Sequence, residues 1–148
     1  MRLYQYTGWD HVDGIKSNGI TDGAIYLPLA KGWLNVPNIQ WLTDDDDWFN
    51  QKWATNKLLK NHERTTVRFE VVIPKTARHK LHRWNEYARQ VLKTPQPYLD
   101  MFNQEGGSDG RHWWVFDGRI PPAWLRGFEE RPTAMHFLAA AHQSEVTR

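Results

Sequence analysis

Leu3-Tyr4-Gln5-Tyr6-Thr7, followed by Gly8-Trp9-Asp10-His11-Val12-Asp13-Gly14-Ile15-Lys16-Ser17-Asn18-Gly19-Ile20, reads as a short strand running straight into a compact helix. Trp9, Val12 and Ile15 recur at three-residue steps and make one helical face. Gly19 after the last turn is the expected left-handed terminator. Thr7 or Asp10 can supply the N-cap oxygen. A strand that ends in a capped helix puts its final side chains at a pocket mouth. About thirty-five residues on, Ile39-Gln40-Trp41-Leu42-Thr43 is a second such strand, and residues 45–60 then read as a helix.

Working outward, Thr66 to Ile73 is the clearest strand. Val67, Phe69, Val71 and Ile73 alternate onto one face, Arg68 and Glu70 share the other, and Pro74 ends it. Leu81, Trp84, Ala88 and Val91 fall at helical spacing and predict a helix over 77–93, with a short helix over 97–103 after it. Residues 111–117 read as a strand. The stretch 19–38 carries Gly19, Gly23, Pro28, Gly32 and Pro37 and reads mostly as surface loop over a site, with a short strand at Ala24 to Leu29. Thr133 to Val146, after Pro132, predicts a closing helix. Strands and helices interleave through connections too uneven for a doubly wound parallel sheet. The fold class is therefore α+β: one domain over 1–148, with a split, mostly antiparallel mixed sheet and flanking helices.

Composition narrows the function classes. The chain has 148 residues, the length of one domain able to bury a core. It contains no Cys, which excludes disulfides, thiolate metal sites and a thiol nucleophile. Its nine Trp exceed what a surface tolerates, so most belong to packing and one or two can line a pocket for a flat ligand. The N-terminus lacks a signal-peptide core and no segment approaches a membrane span, so the expectation is a cytoplasmic protein without a membrane partner. A formal charge of +2 is well short of a dedicated nucleic-acid binder, although Lys75, Arg78, Lys80, Arg83, Arg89 and Lys93 form a local basic stretch.

Several clusters have plain structural readings. Asp44 to Asp47 can hold Mg²⁺, but four acidic residues at a helix start already suit the helix dipole, and the expectation is no metal. His79 and His82 lack a third ligand and lie among cations. Gly106-Gly107-Ser108-Asp109-Gly110 precedes a strand and has no P-loop Lys, so it reads as a mobile loop.

The three strands also carry a resemblance. Tyr4, Gln5, Tyr6 and Thr7 resemble the first motif of the ADP-ribosyltransferase superfamily, with Gln5 at the position of the motif's His. Trp41 and Thr43, then Trp48 or Trp53, are similar to its second motif, in which two rings sandwich nicotinamide. His112-Trp113-Trp114-Val115-Phe116 and the following Pro121-Pro122 turn look like its third, with His112 at the position of the Glu. The resemblance implies NAD as substrate, with Tyr4, Gln5, Tyr6, Thr7, Trp41, Thr43, Trp48 and Trp53 around it. It also implies a protein or nucleic-acid acceptor for ADP-ribose. Cleaving the nicotinamide–ribose bond makes an oxocarbenium-like ribose, which needs a polar or negative group beside it. His112, Gln5 and Arg68 are the candidates for that chemistry, and Glu70, Glu105, Glu129 and Glu130 are possible sources of charge. The tRNA 2′-phosphotransferase pattern in the same superfamily would instead make Arg68 and Arg111 phosphate ligands. With two signature residues replaced, the alternative is a catalytically degenerate fold that binds or inhibits protein or nucleic acid through a basic helix at 78–93, which carries Arg78, Lys80 and Arg83, and through exposed Trp.

Overall fold

The computed structural model describes residues 1–51 and 65–132. The elements in order are β1 (Leu3–Thr7), a 3-10 turn (Trp9–His11), α1 (Val12–Asn18), β2 (Ala24–Leu29), β3 (Gly32–Pro37), β4 (Ile39–Thr43) and a 3-10 turn (Trp48–Asn50). There follow β5 (Val67–Val71), a 3-10 helix (Lys75–Lys80), β6 (Leu81–Arg83), α2 (Trp84–Gln90), α3 (Gln96–Glu105), β7 (Trp113–Asp117), a 3-10 turn (Pro122–Trp124) and β8 (Leu125–Glu130). Six strands form one sheet in the order β6-β7-β4-β1-β5-β8, and β2 and β3 form a separate hairpin. The chain is thus α+β. Every strand pairing among the described residues is antiparallel, so the mixed component expected from sequence does not occur there.

Both faces of the sheet are used, because side chains alternate and cross-strand partners share a face. Leu3 lies opposite Val71, Gln5 opposite Phe69 and Thr7 opposite Val67, whereas Tyr4 and Tyr6 lie opposite Glu70 and Arg68. The Leu3 face packs Leu42, Trp114 and Phe116 against Ile20 and Ile120, with Val12 of α1 over Val67 and Phe69. On the Tyr4 face, Ile39 and Val115 pack against Ile25 and Leu27 of the hairpin and against Trp84, Ala88 and Leu99 of α2 and α3. That second core covers the β4–β7 half only. The β1–β5 half of the same face carries the tyrosines and Arg68.

Four expectations need correcting. In the stretch 19–38 the strand expected at Ala24 to Leu29 forms, but it pairs with a second strand at Gly32–Pro37 through a two-residue turn at Ala30–Lys31 where loop was expected. Ile25 and Leu27 are fully buried, and Pro28 is tolerated because β2 has a free edge. The helix over 77–93 begins only at Trp84. Leu81–Arg83 pairs with β7 instead, and Val91 lies beyond the helix and exposed. Residues 125–130 form an edge strand that sequence reasoning missed, its alternation broken by a bulge at Glu70/Val71. Neither Thr7 nor Asp10 caps the first helix; Gly8 and His11 stand at the two N-cap positions without a side-chain bond. The later part of the helix expected over 45–60 and the closing helix over 133–146 lie outside the described residues.

Gly19 ends α1, but at φ +81° and ψ −168° it is extended rather than in the left-handed helical region expected, and its N–H donates to Ile15 O at 2.8 Å. A Cβ there would lie 2.0 Å from Ile120 O, against the Ile20–Ile120 bridge. Gly19→Ala therefore destabilises by at least about 1–3 kcal/mol in urea unfolding. Gly14, inside α1 with nothing within 4 Å of its Cβ position, gives the opposite sign. Gly14→Ala stabilises by about 0.5–1 kcal/mol.

Candidate functional site

The acidic segment after β4 is tied to the sheet by one buried cation. The Arg68 guanidinium lies 4.5 Å from the Tyr4 ring centre and 4.4 Å from that of Trp48. It donates to Asp46 O at 2.7 Å, to the Tyr6 hydroxyl at 3.1 Å and to Glu129 at 3.2 Å. The Tyr6 hydroxyl in turn donates to Asp45 O at 2.9 Å. Short-range bonds shape the segment itself. Thr43 Oγ1 accepts from Asp45 N, Asp45 Oδ1 from Asp47 N, and Asp47 Oδ1 from Phe49 N, the last capping the 3-10 turn.

A second segment, residues 106–111, faces it. Asn103 of α3 is buried and donates to Asn85 Oδ1 at 2.9 Å and Asp109 O at 3.1 Å, while accepting from the Trp84 indole at 2.9 Å. Gly110 sits against this cluster at φ +82°, where a Cβ would meet Asn85 and Asn103 within 3.0 Å. Between the two segments, at the end of β4 and the start of β7, lies a cleft of about 170 Å³. Thr43, Asp45, Gln51, Ser108, Arg111, His112 and Trp113 are among its lining residues.

His112 is held at the rim. Its Nδ1 is 2.7 Å from Asp44 Oδ1, and the other carboxylate oxygen, Oδ2, accepts from the Trp114 indole N–H at 3.0 Å. The backbones are joined as well, Asp44 N donating to His112 O at 3.1 Å. Arg83 stacks over Trp114 at 4.6 Å, and Arg111 faces Asp109 at 3.8 Å.

Of the residues singled out from sequence as site candidates, Thr43, Arg111 and His112 meet at this cleft. Tyr4, Tyr6, Trp48 and Arg68 gather in the clamp beside it. Arg68 is buried and engaged there, so it is a structural anchor and not an open phosphate ligand. Glu129 is its ion-pair partner, and Glu70 faces Arg2 at 3.7 Å. Gln5 and Thr7 lie on the opposite face of β1 and do not line the cleft. Trp41 is surrounded by Trp84, Phe102 and Trp113 at 4.7–5.9 Å and donates its indole N–H to Ala24 O, so packing already occupies it. Trp53 lies outside the described residues. His82 stacks on Tyr87, and no cluster of three metal-ligating side chains occurs among the described residues. Asp44 is the residue that sequence reasoning passed over: local rules made it a helix start, and only its pairing across the sheet end reveals its partner.

No family model, curated protein or solved structure matches the chain.

Tyr6 reports on the clamp. Burial raises its pKa to about 12, with the Arg68 hydrogen bond and charge pulling against that rise. The unfolded phenol ionises near the ordinary value of 10.0, so between pH 10 and about 12 the unfolded state has lost a proton that the native state keeps. Stability from this group is full below pH 10 and is lost as pH rises to about 12. Denaturant midpoints across that range should fall less steeply for Tyr6→Phe than for the parent chain.

Proposed function

We propose that the chain binds NAD at this cleft as an ADP-ribosyltransferase-like protein of the cytoplasm, passing ADP-ribose to a protein or nucleic-acid acceptor. The observation that supports it is the meeting of segments far apart in sequence. The three stretches that resemble the superfamily motifs lie on neighbouring strands, β7, β4 and β1, and the second and third contribute Thr43 and His112 to one cleft. The cleft is small beside the 300 Å³ or more typical of drug-sized ligand sites, so it suits one end of a dinucleotide. Nicotinamide is cationic in NAD, and the charged groups here, Asp44, Asp45 and Asp109 against Arg111, lean negative. Trp113 is the aromatic ring among the cleft's lining residues.

The chemistry follows from the rim. Departure of nicotinamide leaves positive charge on the ribose, which a nearby fixed negative charge stabilises. A neutral imidazole lacks that charge. The Asp44 carboxylate bonded behind His112 supplies it, so the pair can do what a lone His at the Glu position cannot.

The degenerate-module reading draws on a different observation. Gln5, at the position of the first motif's His, faces away from the cleft, and Lys75, Arg78, His79 and Lys80 are all exposed on one 3-10 turn. Calorimetric titration with NAD, with ADP-ribose as comparison, separates the two. Micromolar to low-millimolar binding of NAD, with nicotinamide release slowed about 10²–10⁴-fold in His112→Ala, is the outcome expected of the enzyme. Absence of heat with either ligand from a folded sample, together with salt-sensitive nucleic-acid binding lost on changing Arg78 and Lys80, would establish the module instead.

A further inference from the structure

The Asp44–His112–Trp114 arrangement contains more than proximity, because the donor and acceptor roles of its members are not free. A carboxylate only accepts and an indole N–H only donates. Trp114 Nε1 commits one Asp44 oxygen, at 3.0 Å. The other, 2.7 Å from His112 Nδ1, must then receive a proton from that nitrogen. The neutral ring consequently carries its hydrogen on Nδ1 and leaves Nε2 as an unprotonated acceptor. Nδ1 is engaged by Asp44 and the side chain is 43% exposed beside the cleft, so Nε2 is the ring nitrogen left for a ligand.

We infer that Asp44 is a positioning residue that, with Trp114, locks His112 in the Nδ1–H tautomer, so that Nε2 serves the cleft as a proton acceptor. The pairing assigns the site a substrate class: a neutral group that gives up a proton as it reacts, a hydroxyl being the simplest. This substrate class rests on the NAD reading. In the resulting step the hydroxyl oxygen forms a bond to the ribose C1′ of NAD and its proton passes to Nε2. The C1′–N bond breaks, and its electron pair leaves on the nicotinamide nitrogen, which becomes neutral. Among the described residues, the other charged groups near the ring are Asp45, Asp109 and Arg111 around the cleft and Arg83 on the far side of Trp114. None of these four bonds to the imidazole, so the Asp44 contact sets its tautomer.

The assignment has an unusual consequence for Asp44→Asn. An amide offers one oxygen and one NH₂, and the Trp114 N–H can be satisfied only by the oxygen. The NH₂ then faces Nδ1, which must accept, and the hydrogen moves to Nε2. The near-isosteric substitution thus inverts the tautomer and removes the acceptor from the cleft, as happens when a His-orienting carboxylate becomes an amide in a catalytic triad. Replacing Trp114 by Phe in the same chain removes the donor that fixes the amide, so the inversion is no longer enforced.

Long-range ¹H–¹⁵N correlation of the imidazole nitrogens reads this directly, without NAD. For neutral His112 in the parent chain the expected ratio favours Nδ1–H by about tenfold or more. In Asp44→Asn the preference reverses, and in Asp44→Asn/Trp114→Phe that reversal weakens. The other six His of the chain, unchanged in the same spectra, report that each variant is folded. An Nε2–H tautomer in the parent chain, or an unchanged tautomer in folded Asp44→Asn, overturns the inference. If a variant does not fold, the parent spectrum alone decides. Failure of NAD to bind while the tautomers behave as stated removes the NAD reading and leaves the proton acceptor in place.

Discussion

The guanidinium of Arg68, held between the rings of Tyr4 and Trp48, is the contact on which the geometry of the site depends. A buried cation costs several kcal/mol in lost hydration unless its donors are met. Here the donors are met by a backbone carbonyl, a phenol and a half-exposed carboxylate, and two ring faces supply the remaining attraction. Arg68 Nε has no hydrogen-bond partner among the described residues, so the satisfaction is incomplete. What the arrangement achieves is attachment. The acidic segment after β4 has little regular structure of its own, and its carbonyls at Asp45 and Asp46 are fastened to the sheet through Tyr6 and Arg68. Lysine in this position has no planar group to lie between two rings and no fork to reach three acceptors.

The other wall of the cleft is anchored by a comparable device of opposite character. Asn103 is neutral and buried, and it joins the Trp84 indole in the apolar core to Asn85 and to the backbone of Asp109. Three of the four hydrogen-bonding capacities of its amide are thereby used. Trp84 is among the most buried side chains in the protein, so the position of residues 106–110 is referred to the core between the hairpin and α2. A buried polar group with satisfied partners fixes one arrangement where apolar packing would permit several.

Much of this organisation was legible in the sequence, where local rules and long-range ones agree. β1, β4, β5 and β7 follow from alternation bounded by Gly, Pro or a helix start, and α1 from three-residue spacing ahead of Gly19. Of the hairpin, β2 was legible and β3 was not, because Gly32 and Pro37 are loop signals and the pairing shows its purpose only once α3 covers Ile25 and Leu27. Leu81 matched a helical period by coincidence of position, being the last apolar residue before the helix and the first to pair with β7. Of the site, Thr43 and His112 were found by resemblance to motifs. Trp41 was assigned to a ligand because a ring after a strand looks available. Its strand is central in the sheet, however, and the face it lies on is covered. Asp44 could not be separated from its three acidic neighbours by any local criterion, since the bond that distinguishes it spans 68 residues.

That distance explains why the rim of the cleft holds its chemistry in an exposed setting. His112 is 43% exposed at its side chain and Asp44 25%, an exposure at which an isolated ion pair contributes little and samples many geometries. Two further constraints change this. The backbone bond from Asp44 to His112 extends the β4–β7 ladder by one residue, so the two Cα atoms are fixed as a strand pair before their side chains meet. The Trp114 N–H then restricts the carboxylate from the core side, and Trp114 itself is packed in the Leu3-face cluster beneath Arg83. The carboxylate is therefore oriented by the core and the imidazole by the carboxylate, so little ordering remains to be done when a ligand arrives. Preorganisation of this kind is what distinguishes a reactive pair from a surface contact of the same length.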